Sequence, residues 1–382
     1  MLIIAVPKET TPGERRVALA PDGARALIAQ GAYVLVERDA GHGASIANAA
    51  YEQAGATMTD GEAISKADMV LQVTGPMDGH PGALPSMKAG SALVAFMFPQ
   101  ANVATVRALN AQRITCFAMD LMPRISRAQT MDALSSMSTI AGYKGVLLAA
   151  AELPKFFPML MTAAGSIAPA RVLVIGAGVA GLQAIATARR LGAIVEAFDV
   201  RPAVKEQVES LGAKYVDLGL SSEEAEDAGG YAKEVSSDTH VHELGVIAQQ
   251  LPKSDVVITT ALIPGRPAPK LITEEMVRTM SRGSVIVDLA AVNGGNCELT
   301  VPGQTVVKFG VTIIGLFDMP STMAVHASQM YSKNITAFVS HLLNEGSFVV
   351  NLDDAVTRGA LLTYEGKIMH EPTRLLIERG IG

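Results

Sequence analysis

Gly176-Ala177-Gly178-Val179-Ala180-Gly181 has the G-x-G-x-x-G spacing, and its surroundings are those a dinucleotide needs. An apolar run, Val172 to Ile175, leads into it, and a helical run, Leu182 to Leu191, leads out. Gly176 permits the tight strand-to-helix turn, Gly178 lets backbone approach a pyrophosphate, and Gly181 lets helix pack on strand. With Val179 and Ala180 the loop becomes a helix start, whose N–H groups and positive dipole end suit phosphates. A second strand, Ala193 to Phe198, ends at Asp199, 18 residues after Gly181. That is close to the usual spacing of about 20, where a carboxylate accepts hydrogen bonds from both ribose hydroxyls. Its charge repels a 2′-phosphate, so the pattern favours NAD(H) over NADP(H). Arg201 could greet such a phosphate, but Asp199, with Val200 beside it, occupies the ribose position itself.

Such a loop has to be held by a sheet. Apolar runs alternate with helical patterns at Ile3–Val6, Tyr33–Glu37, Met69–Val73, Ala92–Phe96 and Thr115–Met119. From Arg171 a second series begins, with Val172–Ile175, Ile194–Phe198, Val256–Thr260, Val285–Leu289 and Thr312–Leu316. The alternation predicts an α/β fold of two Rossmann-like, doubly wound parallel-sheet domains joined by long helices. The expected division is residues 1–130 with 322–382, and residues 131–321. The joining helices are expected over Met131–Leu153 and Met323–Leu343, followed by strand-like Phe348–Leu352 and Gly359–Tyr364. The polar, Glu- and Asp-rich segment 217–242 is too long for an ordinary connection. It is either a solvated loop or a mobile flap over the nucleotide, with Tyr231 at its tip. His240 and His242 near its end are expected in solvent, and no metal site is expected.

The chain has 382 residues, 49% of them apolar, and a net charge of −6. That is enough for two cores, and it argues against nucleic acid as a partner. Cys116 and Cys297 lack metal or redox spacing and read as plain core thiols of a reducing compartment. Met1 to Val6 reads as a first strand, without the basic start of a signal peptide. The stretch from Gly145 to Gly165 is interrupted by Glu152, Pro154, Lys155 and Pro158, which argues against a membrane span.

Arg124-Ile125-Ser126-Arg127-Ala128-Gln129-Thr130-Met131-Asp132, followed by Ser135 and Ala141-Gly142-Tyr143, resembles a signature of proton-translocating NAD(P) transhydrogenases. The similarity is to their extramembranous NAD(H)-binding domain I. It continues in Lys205-Glu206-Gln207-Val208, Gly230-Tyr231-Ala232-Lys233 and Thr259-Thr260-Ala261-Leu262-Ile263-Pro264-Gly265. Asp288-Leu289-Ala290 and Gly294-Gly295-Asn296-Cys297 extend it, so that it runs from Pro7 to about Pro372. The resemblance implies hydride transfer between NADH on this chain and NADP⁺ on a partner domain III. That transfer would be coupled to proton passage through a membrane domain II. It implies a homodimer, peripheral to the cytoplasmic or matrix-side face of an energy-transducing membrane. The end at Gly382 suggests a separate subunit or an excised domain.

By the same resemblance Arg124, Gln129, Asp132 and Ser135 surround the nicotinamide and its ribose, and Gln129 reaches toward the partner's ring. Tyr231, Thr260, Ala261 and Leu262 join the fingerprint residues around the nucleotide. Plainer readings exist: an Arg124–Asp132 ion pair, a surface amide at Gln129, a small packing residue at Ser135. Alanine dehydrogenase is the sister family, whose members handle substrate with a His and a Lys. Here those places hold Phe96 and Gln72, neither of which can act as a base. Arg16 survives alone. Ring-to-ring hydride transfer needs no base, so the substitution favours the transhydrogenase reading. A non-catalytic NAD(H)-binding protein is the third reading, prompted by the departure from the family pattern over Phe317–Thr322.

Overall fold

The computed structural model describes residues 1–217, 237–262, 267–344 and 346–380. They form two compact units, Met1–Met137 with Pro320–Gly382, and Ser138–Met319. The chain leaves the first unit within the helix Ala133–Glu152 and returns to it in the 3₁₀ turn Met319–Met323.

The first unit holds an eight-stranded sheet. Its order is Lys367–Ile368, Leu361–Tyr364, Thr115–Ala118, Ala92–Phe96, Met69–Thr74, Ile3–Val6, Tyr33–Glu37 and Thr57–Thr59. The six N-terminal strands are parallel, and Leu361–Tyr364 adds antiparallel to Thr115–Ala118. Every residue of Ala92–Phe96 is buried, as expected of a central parallel strand covered on both faces. The helix Ala324–Leu342 belongs to this unit and packs Phe338 edge-on against Phe117, with ring centroids 5.3 Å apart.

The second unit holds seven strands, in the order Lys214–Val216, Ile194–Phe198, Arg171–Ile175, Val256–Thr259, Val285–Asp288, Val311–Ile314 and Thr305–Lys308. All pairs but the last are parallel. Alternate residues of each strand point to opposite faces. Val172, Val174, Val195, Val256 and Val285 therefore enter one core with Ala184 and Ala188 of the helix Val179–Arg190. Leu173, Ile175, Val257 and Ile286 enter the other, with Ile247 and Leu251. Both faces are covered, which makes the sheet doubly wound. In each sheet the order reverses beside its first strand, and ligands of open α/β sheets bind at that point.

Four expectations need correction. Residues 349–352 are not strand; Ser347–Phe348 pairs only with Leu343–Asn344. The stretch expected as strand from Gly359 begins as the last turn of a helix, Ala355–Ala360, and turns extended at Leu361. The segment 217–242 is not all loop, because a helix, Ser237–Gln250, starts inside it and buries Glu243 and Ile247 one turn apart. His240 is accordingly no free surface group; its Nδ1 lies 3.1 Å from the Glu243 carboxylate. Edge strands such as Thr57–Thr59 and Thr305–Lys308 join the expected ones; half-exposed, they carry no apolar run to announce them. Among the described residues no helix is long and apolar enough to cross a membrane.

Candidate functional site

At the reversal of the second sheet, Gly176 follows Ile175 with φ at 94°, a left-handed conformation that costs a glycine little. The turn carries the chain into the helix Val179–Arg190, with Gly178 as its extended N-cap. Gly181 lies against the turn itself: a Cβ there would sit 1.8 Å from the Gly176 carbonyl oxygen. The space at Gly178 is open, with only an Arg201 nitrogen at 3.9 Å from such a Cβ. This is the division of labour that the fingerprint predicts. Gly142 extends the close packing, since a Cβ there would meet the Ala180 carbonyl oxygen at 2.1 Å.

The neighbouring strand, Val256–Thr259, delivers Thr260, whose hydroxyl donates to the Gly176 carbonyl at 3.0 Å. Ala261 is held from behind by buried Asn296, which accepts from its N–H at 3.1 Å and donates to its carbonyl at 2.9 Å. Asp288, fully buried, anchors the next turn by accepting from Thr259, Ala290, Cys297 and Thr300. Leu262 and Val179 are exposed.

Asp199 stands at the tip of Ile194–Phe198 and is 4% exposed. It is more engaged than the sequence implies. One oxygen accepts from the Ala177 N–H at 2.6 Å, the other from the Arg201 N–H at 2.9 Å. The Arg201 guanidinium adds two further bonds, both 2.9 Å. The Tyr215 hydroxyl steadies this corner by donating to the Asp199 carbonyl at 2.7 Å. Nothing in the spacing announces Tyr215 or Asn296 as supports, because each acts through backbone far away in sequence. Burial raises the Glu243 carboxyl, and the charge of Asp199 adds to the rise.

In the first unit Arg124 and Gln129 are exposed, on either side of the turn Ser126–Met131. Asp132 caps the helix Ala133–Glu152, accepting from the Ser135 N–H at 2.9 Å and the Ser135 hydroxyl at 2.6 Å. Ser135 is thus a partner of Asp132 and not a mere packing residue. The turn is pinned by Asn334, which donates to the Thr130 carbonyl at 2.8 Å, and by the Arg127–Asp354 ion pair at 2.9 Å. Tyr231 lies outside the described residues, as do 263–266.

The first sheet's reversal point, between Ile3–Val6 and Met69–Thr74, is filled by its own side chains. Glu9 accepts from the Val73 and Thr74 N–H groups at 2.6 and 3.3 Å. Arg16, 6% exposed, is bound bidentately by Glu14 at 2.8 and 2.5 Å, with Thr74 and Ser321 also donating to Glu14. Burial works to raise Glu14, but the Arg16 hydrogen bonds and charge bring it down to about 2. Gln72 and Phe96 are buried nearby, each linked to Tyr331, whose hydroxyl donates to the Gln72 carbonyl and whose ring lies 5.2 Å from that of Phe96.

Burial pushes Glu9 from 4.5 up to about 8, and Glu14's charge adds to the rise against the two N–H donors. The folded protein then holds this proton at neutral pH, while the unfolded chain releases it above about 4.3. Stability from this group is complete below that unfolded value and is lost as pH rises toward about 8. Glu9→Gln should therefore flatten the decline in melting temperature between about pH 5 and 8. Melts of both proteins across that range check it; parallel curves would show that Glu9 is ionised in the fold.

Cys116 and Cys297 are buried thiols, and burial pushes Cys297 up to about 11. Among the described residues no three His, Cys, Asp or Glu side chains gather as a metal site.

Two doubly wound units, one with a glycine cradle and the other with its crevice filled, define a Rossmann-type dinucleotide-binding protein. The chain belongs to the alanine dehydrogenase/PNT family: the N-terminal domain model matches residues 5–141 and the C-terminal domain model residues 145–371. It is 49% identical over 374 residues to the first of the alpha-subunit chains of NAD(P) transhydrogenase from Rhodospirillum rubrum, covering 96% of this chain and 97% of that protein. Alanine dehydrogenase of Bacillus subtilis is 31% identical over 380 residues, or 97% of this chain and 93% of that one. A crystal structure of transhydrogenase from Sinorhizobium meliloti superposes with a TM-score of 0.86 at 42% identity, over 96% of this chain and 99% of that one.

Proposed function

We propose that this chain is the NAD(H)-binding component of a proton-translocating (Re/Si-specific) NAD(P) transhydrogenase. What carries the reading is the contrast between the units: an open glycine cradle in the second and a sealed polar cluster in the first. The space over Gly178 and the N–H groups of the Val179–Arg190 helix fit a pyrophosphate, and Asp199 fits a ribose. When bound, NAD(H) supplies or accepts the hydride exchanged with NADP(H) on partner domain III, while membrane domain II carries the proton.

This chain's residues then have to orient a ring and exclude water. Gln129 and Arg124 are proposed to orient the nicotinamide and its ribose, on a turn that Asp132 and Ser135 stiffen. No side chain has to take a proton, which agrees with Phe96 and Gln72 where an amino-acid dehydrogenase needs its His and Lys. Arg16 is likewise committed, since Glu14 already neutralises it. Homodimer formation is part of the proposal. The hairpin Leu160–Thr162 and Gly165–Ile167 leaves Met159 and Met161 62% and 77% exposed, an apolar surface that a second copy would cover. The complex is proposed to sit at the cytoplasmic or matrix-side face of its membrane.

Asp199→Ala tests the cofactor half. Charge-assisted hydrogen bonds contribute about 1.5–3 kcal/mol, so NADH affinity should fall about 10- to 100-fold. A fluorescence titration reads it, and unchanged affinity would remove Asp199 from the ribose site.

A further inference from the structure

We propose that Arg201 exchanges partners when nucleotide binds, leaving Asp199 for the pyrophosphate, and that this exchange selects nucleotides over nucleosides. The inference rests on the dinucleotide reading of the second unit and deepens it.

A carboxylate offers about four lone-pair positions. Asp199 has four donors: the N–H groups of Ala177 and Arg201, and two guanidinium nitrogens of Arg201. With 4% of the residue exposed, there is no room for more. A ribose diol brings two further donors, so two of the present ones have to leave. The backbone pair cannot, because Ala177 is locked in the glycine turn and Arg201 N belongs to the chain just beyond the strand tip. The guanidinium can, since it hangs on a rotatable side chain.

A displaced guanidinium in a partly buried corner needs another anion, because leaving one member of such a pair uncompensated is costly. Geometry points to which one. An Arg201 nitrogen lies 3.9 Å from where a Cβ at Gly178 would be, directly over the position at which the fingerprint admits a pyrophosphate. A small swing moves the cation from carboxylate to phosphate, where planar guanidinium bonds well. Ribose and pyrophosphate then bind as a linked pair: the diol frees the arginine and the phosphate receives it. A nucleoside has to displace Arg201 without giving it anything in return.

The test compares adenosine with ADP on wild type and Arg201→Gln, by calorimetry or ligand-observed NMR. Removing the competitor should tighten adenosine about three- to tenfold, the worth of one ordinary hydrogen bond. Losing the phosphate contact should weaken ADP about tenfold, so that the two affinities move in opposite directions. Adenosine binding that is unchanged or weaker in the variant overturns the exchange, and ADP binding that is unchanged or tighter overturns the phosphate contact. If Arg201→Gln does not fold by circular dichroism, Arg201→Lys carries the same test. It keeps the charge but loses the bidentate grip, so adenosine should tighten while ADP holds within about twofold. Adenosine binding unchanged in that variant likewise overturns the proposal. Wild type that fails to bind ADP at all would instead defeat the dinucleotide reading beneath it.

Discussion

Gly181→Ala should destabilise the second unit by about 3 kcal/mol or more and abolish NADH binding, an overpacking cost at the upper end of the usual range. A methyl group there meets the Gly176 carbonyl oxygen at 1.8 Å and its carbon at 2.8 Å. Both obstacles are backbone, and neither is at liberty to move. The Gly176 N–H donates to the Phe198 carbonyl at 2.8 Å, and its carbonyl accepts from Thr260. Relief has to come from tilting the helix off the sheet, which opens the core around Ala184 and Ala188. Gly178→Ala is the control, for its methyl group meets open space. That variant should melt within about 1 kcal/mol of wild type yet bind NADH poorly, because the methyl group takes the place of the approaching pyrophosphate. Thermal melts and NADH titrations of the two variants check both statements. A Gly181→Ala protein that melts like wild type would refute the close-packing role.

Gln129→Ala should slow hydride transfer about 10- to 100-fold in a complex with an NADP(H)-binding domain, while NADH affinity changes by no more than about twofold. The expectation follows from how the turn is held. Gln129 itself is exposed, but Thr130 beside it is fixed by Asn334, Arg127 by Asp354, and Met131 is buried against the fold. An exposed amide on so constrained a turn loses little freedom on contacting a ligand, so it is suited to orienting one. A side chain that only aided binding would lose rate and affinity together. Single-turnover kinetics beside an equilibrium titration separate the cases, and equal losses would leave Gln129 as a binding contact.

Much of this was legible in the amino-acid order because buried parallel strands write themselves as apolar runs. Ile3–Val6, Tyr33–Glu37, Ala92–Phe96 and Ile194–Phe198 begin and end where the runs do. The fingerprint was legible for a similar reason, since each glycine answers a local steric demand. Elements stabilised by partners distant in sequence were not. Leu361–Tyr364 is a strand because Thr115–Ala118 lies beside it, and the short helix before it exists because Asp354 caps it. Nor does spacing reveal that Arg201 grips Asp199 or that Glu9 plugs the first sheet's crevice. Two charges near each other in a chain can equally well face apart.

The most direct test of the central claim is reconstitution. The purified chain is mixed with the NADP(H)-binding domain of a transhydrogenase, and hydride transfer from NADH to NADP⁺ (or to a spectroscopically distinct analogue) is followed. The predicted result is transfer that requires both proteins and is absent with either alone. NADH binding without any transfer in the mixture would contradict the transhydrogenase assignment and leave a binding protein in its place.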